Sequence, residues 1–88
     1  MVETLTALRA QGVRCLAAHP RLGAKKLSAA DLRGDCCLVF GAEGPGLTEA
    51  VLAACDDAVE IPMPSHMNSL NVAVATGVFL YEATRQRE

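Results

Sequence analysis

The sequence predicts an α/β fold in which a parallel sheet of about three strands is flanked by helices. Short apolar runs alternate with helical patterns along its 88 residues, and this alternation is typical of parallel sheets. The clearest run, residues 36–40, is apolar throughout, as in a strand that is buried on both faces. A chain of this length forms one domain with one modest core, here residues 1–88.

The other elements are predicted from spacing and from capping residues. Leu5 and Leu8 have helical spacing, and Gly12 follows as a helix-ending glycine. Thr48 is a good N-cap, with Glu49 in the first turn of the helix that follows it. In chain order, the expected elements are a helix over 3–11, a strand over 13–18, a connection with one helical turn at 28–32, a strand over 36–40, a helix of about two turns ending at 55, a strand over 58–61 and a final helix from 70.

The final helix is unusual because it is apolar almost all round between residues 70 and 80. Asn68 or Ser69 is expected to cap it. A helix without a polar face is normally buried, and a sheet of three strands is too small to cover this one. We therefore expect an upstream segment or another subunit to cover the rest of it.

Charge and cysteine usage limit the function classes. The net charge is −2, which gives no general electrostatic case for nucleic acid. Residues 41–84 contain no Lys or Arg, so a phosphate-facing surface is expected near four earlier residues, namely Arg21, Lys25, Lys26 and Arg33.

The four cysteines form no CxxC pair and have no histidine at metal-ligand spacing, so no metal site is predicted. They are interpreted as small buried hydrophobic residues of a cytoplasmic protein. No signal peptide and no membrane-spanning stretch is predicted. The cysteines are Cys15, Cys36, Cys37 and Cys55.

Two loops follow predicted strands, and ligands of open α/β sheets bind beyond the carboxyl ends of strands. The first, residues 41–46, has three glycines that favour close backbone approach, although its spacing is neither a dinucleotide fingerprint nor a P-loop. Taken alone it is an ordinary turn, and Glu43 within it is a solvated charge. In the second loop, Ser69 and Asn71 suit either a helix cap or a ligand contact. His66 receives no role.

Together, several blocks resemble the second and third motifs of the SpoU (TrmH-like) branch of the SPOUT methyltransferases. These blocks are residues 38–47, 61–64, 68–77 and 81–87. The resemblance implies that the C-terminal helix forms a trefoil knot, an exception to the rule against threaded loops. It also implies an S-adenosylmethionine-dependent RNA 2′-O-ribose methyltransferase that acts on rRNA or tRNA and forms a homodimer through its knotted region.

The same resemblance assigns roles to individual residues. Backbone groups of six residues would hold the methyl donor: Phe40, Gly41, Gly44, Ile61, Met63 and Leu70. Three side chains would line the methyl-transfer region: Glu43, Ser69 and Asn71.

The family's first motif, with an Asn and an Arg before these blocks, has no counterpart in the chain. That arginine is the family's proposed activator of the ribose hydroxyl, whose deprotonation is needed for attack on the donor methyl. The chain is therefore expected to keep the donor site without the catalytic-arginine motif. Two alternatives stay open, namely an inactive ligand-binding or dimerisation module derived from such an enzyme and an unrelated nucleotide-binding α/β domain.

Overall fold

The computed structural model describes residues 1–20, 23–41, 46–63 and 71–88. These residues form three helices and four strands, joined in part by a single 3₁₀ turn at Leu27–Ala29. The predicted elements are present with boundaries shifted by one to a few residues. In chain order they are α1 (Val2–Ala10), β1 (Arg14–Ala18), β2 (Lys25–Lys26), β3 (Cys36–Val39), α2 (Glu49–Ala53), β4 (Asp57–Glu60) and α3 (Val72–Arg87).

The strands form one parallel sheet with the order β2-β4-β1-β3. The central strands β1 and β4 pair Leu16 with Asp57 and Ala18 with Val59. The two-residue strand β2 is one strand more than the sequence predicted. Its lysines are exposed at the sheet edge, so it has no apolar pattern that could have predicted it.

Side chains alternate between two hydrophobic clusters on opposite faces of the sheet, as the period of a strand requires. On one face, Leu16 and Val59 pack with Phe79 of α3 and with Leu27 and Leu32 of the preceding connection. On the other face, the buried cluster is Leu5, Cys15 and Val39, with partly buried side chains of α1 and α2 packed against it. The domain is therefore a three-layer α/β/α structure, as predicted.

The cysteines follow this division only in part. Cys36 packs on the α3 face and Cys37 on the opposite face, as expected for consecutive strand residues. Cys15 is fully buried, but the other three are half-buried, so their predicted full burial is wrong. Burial raises the pKa of the Cys15 and Cys55 thiols, which keeps both protonated near neutral pH.

Capping residues explain where two of the helices begin. Thr48 Oγ1 accepts a hydrogen bond from Val51 N–H at 3.2 Å, which confirms the predicted cap of α2. The predicted cap of α3 by Asn68 or Ser69 is wrong, because Asn71 is the N-cap and its Oδ1 accepts from Ala73 N–H at 2.8 Å. Since Asn and Ser cap equally well, spacing alone could not choose among three neighbouring candidates.

Helix α3 is largely exposed although its sequence is apolar. Phe79 is its buried residue, whereas Val74 is 53% exposed and Tyr81 is 70% exposed. The expectation that this helix needs further cover therefore stands as a prediction. The predicted knot depends on the paths of residues 42–45 and 64–70, which lie outside the described residues. No helix in the described ranges is long and apolar enough to cross a membrane.

Candidate functional site at the carboxyl ends of the strands

The two candidate loops leave the sheet on either side of the central strand β1. Phe40 and Gly41 follow β3, and residues 61–63 follow β4. Strand β1 lies between them in the sheet and continues into His19, whose N–H donates to the Val59 carbonyl oxygen at 3.1 Å. The described ends of both candidate loops therefore lie at the carboxyl end of the sheet, which is where open α/β sheets bind ligands.

Aromatic packing fixes the strand end that leads into the first loop. The Phe40 and Phe79 rings meet edge to face, with their centroids 5.3 Å apart. Ile61, which follows β4, packs against the same cluster. Because both side chains point into the core, the backbone at these two strand ends is what remains available to a ligand.

Position 41 must be a glycine because the backbone of residues 46 and 47 leaves no room for a side chain there. A Cβ atom at Gly41 would lie 2.7 Å from the Gly46 carbonyl carbon and 2.8 Å from the Leu47 nitrogen. Both distances are shorter than the contacts that Cβ atoms make in folded proteins. Gly46 itself has φ +66°, a conformation that favours glycine. The two ends of the loop over residues 41–46 are thus in direct backbone contact, which no side chain at position 41 permits.

The direction of α3 places its first turns beyond the sheet. Phe79 contacts Phe40 at the carboxyl end of β3, while Arg87 Nη2 lies 3.9 Å from Cys36 Sγ at the amino end. Helix α3 and strand β3 therefore run antiparallel. The segment of α3 from Phe79 to Arg87 is about as long as the strand from Cys36 to Phe40, because eight helical residues rise about 12 Å and four strand residues about 13 Å. The eight residues from Phe79 back to Asn71 then extend about 12 Å past the strand end. We call residues 72–78 the overhanging half of α3.

The structure describes five of the nine predicted site residues. Phe40, Gly41, Ile61 and Met63 lie at the carboxyl ends of β3 and β4, and Asn71 lies at the start of the overhanging half of α3. Glu43, Gly44, Ser69 and Leu70 lie outside the described residues. Asn71 Oδ1 caps α3, and its predicted role beside the methyl group stays a prediction.

The backbone at the strand ends has the chemistry that suits an adenosine. Within the described part of the chain, no hydrogen bond between backbone groups reaches Gly41 or Met63 beyond the strand ladder. Half-buried apolar side chains flank them at Phe40 and Ile61. Backbone N–H and C=O groups beside apolar surface would suit a ligand that carries a flat base and polar edges.

The predicted phosphate-facing residues do not form one surface. Lys25 and Lys26 lie on edge strand β2, whereas Arg33 precedes β3 at the other edge of the sheet. Lys25 Nζ lies 3.5 Å from Asp57 Oδ2, and Arg33 Nε lies 3.2 Å from Asp31 Oδ1. Lys26 is exposed, and no carboxylate of the described ranges lies within 4.0 Å of its ammonium group. Arg21 lies outside the described residues.

Two cavities elsewhere in the molecule have Asp56 in their walls, and neither contains a predicted site residue. One, of about 290 Å³, lies between α2 and the segment before β2, and the other, of about 440 Å³, lies beside the end of α1. Phe40, Gly41, Ile61, Met63 and Asn71 line neither cavity, so neither cavity is the candidate site. No group of three or more His, Cys, Asp or Glu side chains in the described ranges is placed to hold a metal ion.

The sequence profile of the SpoU rRNA methylase family matches residues 1–81. The chain belongs to the SpoU rRNA methylase family. This membership agrees with the parallel sheet and with the glycine loop after β3. It also confirms the resemblance found in the motif blocks.

Relatives within the SpoU family are similar over most of this chain. The 23S rRNA (guanosine-2'-O-)-methyltransferase RlmB of Xanthomonas campestris pv. campestris is 56% identical over 61 residues, which are 69% of this chain and 24% of that protein. The RlmB of Ralstonia nicotianae is 41% identical over 87 residues, 99% of this chain and 34% of that protein. The chain thus spans about a quarter to a third of the length of these relatives.

Solved SpoU-family structures have the same fold. The TrmH/SpoU tRNA modifying enzyme of A. aeolicus superposes with a TM-score of 0.90 at 34% identity and covers 98% of this chain and 44% of its own. The SpoU methyltransferase AviRb from Streptomyces viridochromogenes, solved in complex with the cofactor AdoMet, has a TM-score of 0.83 at 34% identity. That match covers 97% of this chain and 34% of AviRb.

Proposed function

We propose that residues 1–88 are the donor-binding part of an S-adenosylmethionine-dependent RNA 2′-O-ribose methyltransferase that acts on rRNA or tRNA. The observation that carries the proposal is the carboxyl end of the sheet. There, the backbone-closed glycine turn at Gly41 and the overhanging half of α3 are joined through the Phe40–Phe79 contact. Membership of the SpoU family supports the proposed activity, and the AdoMet complex of the related AviRb supports S-adenosylmethionine as the donor.

In this proposal, backbone groups hold the donor and side chains act next to the transferred methyl. Donor contacts are assigned to Phe40, Gly41, Gly44, Ile61, Met63 and Leu70. The bound donor supplies an electrophilic sulfonium methyl group. Glu43, Ser69 and Asn71 then orient the ribose hydroxyl, whose attack requires alignment with that methyl and loss of its proton near the transition state.

A calorimetric titration with S-adenosylmethionine, combined with a methyl-transfer assay on rRNA and tRNA, tests this proposal. Binding with transfer to the ribose 2′-oxygen supports the enzyme. Binding without transfer favours the second candidate, a ligand-binding or dimerisation module, which the exposed apolar side chains of α3 also favour. Absence of binding contradicts the donor-binding part and leaves only a module that dimerises.

Leu70→Asp tests the location of the donor pocket. A carboxylate placed beside the adenine would lose its hydration without gaining a partner, and this costs several kcal/mol. We expect donor binding to be lost while the melting temperature stays close to that of the unchanged chain. Unchanged affinity in the same calorimetric titration would remove Leu70 from the pocket.

A homodimer is the assembly that we propose for the intact site. Three of the exposed apolar side chains of α3 lie on one side of the helix and would lose contact with water against a second copy. Val74, Val78 and Tyr81 share this face at helical spacing. Sedimentation analysis should give twice the mass of the chain, and a monomer at all concentrations would contradict the dimer.

We place the protein in the cytoplasm, where its four free cysteines stay reduced.

A further inference from the structure

The last turns of α3 carry polar contacts that the proposed donor site does not use. Leu32 N–H donates to Gln86 Oε1 at 2.7 Å, and Gln86 Nε2 donates to the Ala30 carbonyl oxygen at 2.8 Å. The single amide of Gln86 thus makes the pair of bonds that a neighbouring strand would make to residues 30–32. Gln86 and Arg87 together are called the terminal clamp below.

Arg87 and Glu82 complete this arrangement. Arg87 donates from Nε to the Leu32 carbonyl and from Nη2 to the Gly34 carbonyl, each at 3.0 Å. Glu82 Oε2 accepts from Gln86 Nε2 at 2.8 Å and fixes the rotamer of the amide. The terminal clamp therefore ties α3 to the connection before β3 through four hydrogen bonds to backbone groups.

The clamp and the candidate site are at opposite ends of one rigid helix. Phe79, the buried residue of α3, lies midway, with eight residues to Asn71 on one side and eight to Arg87 on the other. Each arm is about 12 Å long. A tilt about Phe79 that moves Arg87 by a given distance therefore moves Asn71 by the same distance in the opposite direction.

Among the described residues, the overhanging half of α3 is the less firmly packed half. Ala73, Val74, Gly77 and Val78 are exposed, and a Cβ atom at Gly77 would meet no atom within 4 Å. Beyond Phe79, the described contacts that join α3 to the rest of the fold are on its C-terminal half, where Ala83 packs against the core and the terminal clamp binds the connection.

We infer that Gln86 is a positioning residue for the donor site, which it serves by setting the tilt of α3 about Phe79. The inference rests on the proposed function, because binding of the donor is what requires a fixed position of Asn71 at the start of α3. A displacement of about 1 Å at a ligand contact is enough to weaken binding or catalysis strongly.

Gln86→Leu and Arg85→Leu form the test pair, since both replace a long polar side chain on the same turn. Gln86→Leu removes both backbone bonds made by the amide, whereas Arg85 is exposed and bonds only to Glu82 among the described residues. Donor affinity is measured by calorimetry well below the melting temperature of each variant. We expect Gln86→Leu to weaken binding at least about fivefold, as coupling between distant sites typically does, and Arg85→Leu to leave it unchanged.

Amide hydrogen exchange gives a second readout that does not depend on the donor. The N–H groups of Ala73 and Ala75 bond to Asn71, the residue that joins α3 to the chain before it. A rigid tilt alone leaves bonds within the helix intact, but a helix start that is displaced from the preceding chain strains these two bonds, so we expect both N–H groups to exchange faster in Gln86→Leu than in Arg85→Leu. Faster exchange only in residues 83–88, or a lower melting temperature with unchanged donor affinity, would show that the clamp acts on stability alone and would overturn the inference. Should Gln86→Leu not fold, Gln86→Met keeps the length of the side chain, removes the same two backbone bonds and gives the same comparison.

If the unchanged chain binds no donor, the proposed function fails, and the exchange rates of Ala73 and Ala75 still decide whether the clamp controls the helix start. If the donor binds and both variants bind it equally, the proposed function stands and the positioning role of Gln86 is refuted.

Discussion

The two ends of the sheet are held by different kinds of interaction. At the amino end, charged and amide side chains bond to backbone groups, as Asp56 does to Cys15 N–H at 2.7 Å and Arg87 to the Leu32 carbonyl. At the carboxyl end, the described contacts are backbone closure at Gly41 and aromatic packing at Phe40. In the described ranges, polar side chains thus bond to backbone groups of distant segments at the amino end, whereas no such side-chain bond is described at the carboxyl end.

Substitution of one glycine at each end of the sheet by alanine gives the largest expected difference in stability and donor affinity. Gly41→Ala places a Cβ atom within 2.9 Å of three backbone atoms, whereas Gly34→Ala meets no atom within 4 Å. Overpacking of this kind costs about 1–3 kcal/mol, and the displaced loop should lower donor affinity more than about tenfold, or 1.4 kcal/mol. Gly34→Ala should be neutral or slightly stabilising. Denaturant unfolding and donor titration measure both effects, and equal behaviour of the two variants would refute the contrast.

Neighbouring aspartates at the amino end give a smaller effect, confined to stability. Asp56 accepts from Cys15 N–H and from Arg9 Nε, and Cys15 is fully buried. Asp56→Ala leaves that donor unpaired, which costs about 1–3 kcal/mol. Asp57→Ala removes only an exposed ion pair with Lys25, worth about 0–1 kcal/mol.

Donor affinity should be unaltered in both aspartate variants, because both residues lie at the amino end of β4. Urea unfolding gives the stability difference and calorimetry gives the affinity. A loss of affinity in Asp56→Ala would show that the two ends of the sheet are coupled.

The smallest expected effect is a pH dependence centred on Glu82. Hydrogen bonds from Arg85 and then Gln86 lower the pKa of the Glu82 carboxyl from 4.5 to about 2. A lowered folded-state pKa stabilises the fold above pH 4.5, and that stabilisation is lost as the pH falls to about 2. Glu82→Gln should therefore flatten the fall in melting temperature across this window, and an identical pH profile would contradict the described bonds.

Features that depend on neighbouring residues could be predicted from the sequence. The strand predicted at residues 36–40 is present, and Thr48 caps α2 as its residue type predicts. The candidate site was likewise placed at the carboxyl strand ends, where Phe40, Gly41, Ile61 and Met63 are found. These predictions needed only short-range patterns. The prediction that the strand at residues 36–40 is buried on both faces is wrong, because β3 is an edge strand of the described sheet and its first three residues are only half-buried.

Features that depend on distant partners were missed. Asp56 bonds to a residue 41 positions away, and Gln86 to one 56 positions away. No pattern of neighbouring residues predicts either bond. Without knowledge of its distant partner, a carboxylate or an amide is interpreted as a solvated side chain. The edge strand β2 also depends on a distant partner, as Lys25 pairs with Val59.

The order in which the core is assembled follows from the place of Phe79 in the chain. The cluster on one face of the sheet is built by residues 16–61 and is completed by the Phe79 ring and by Ala83, which follow them in the chain. During synthesis, most of the cluster therefore leaves the ribosome before the side chains that cover it. Until then its apolar surface stays open to water or to chaperones, so folding of this face must follow translation of α3.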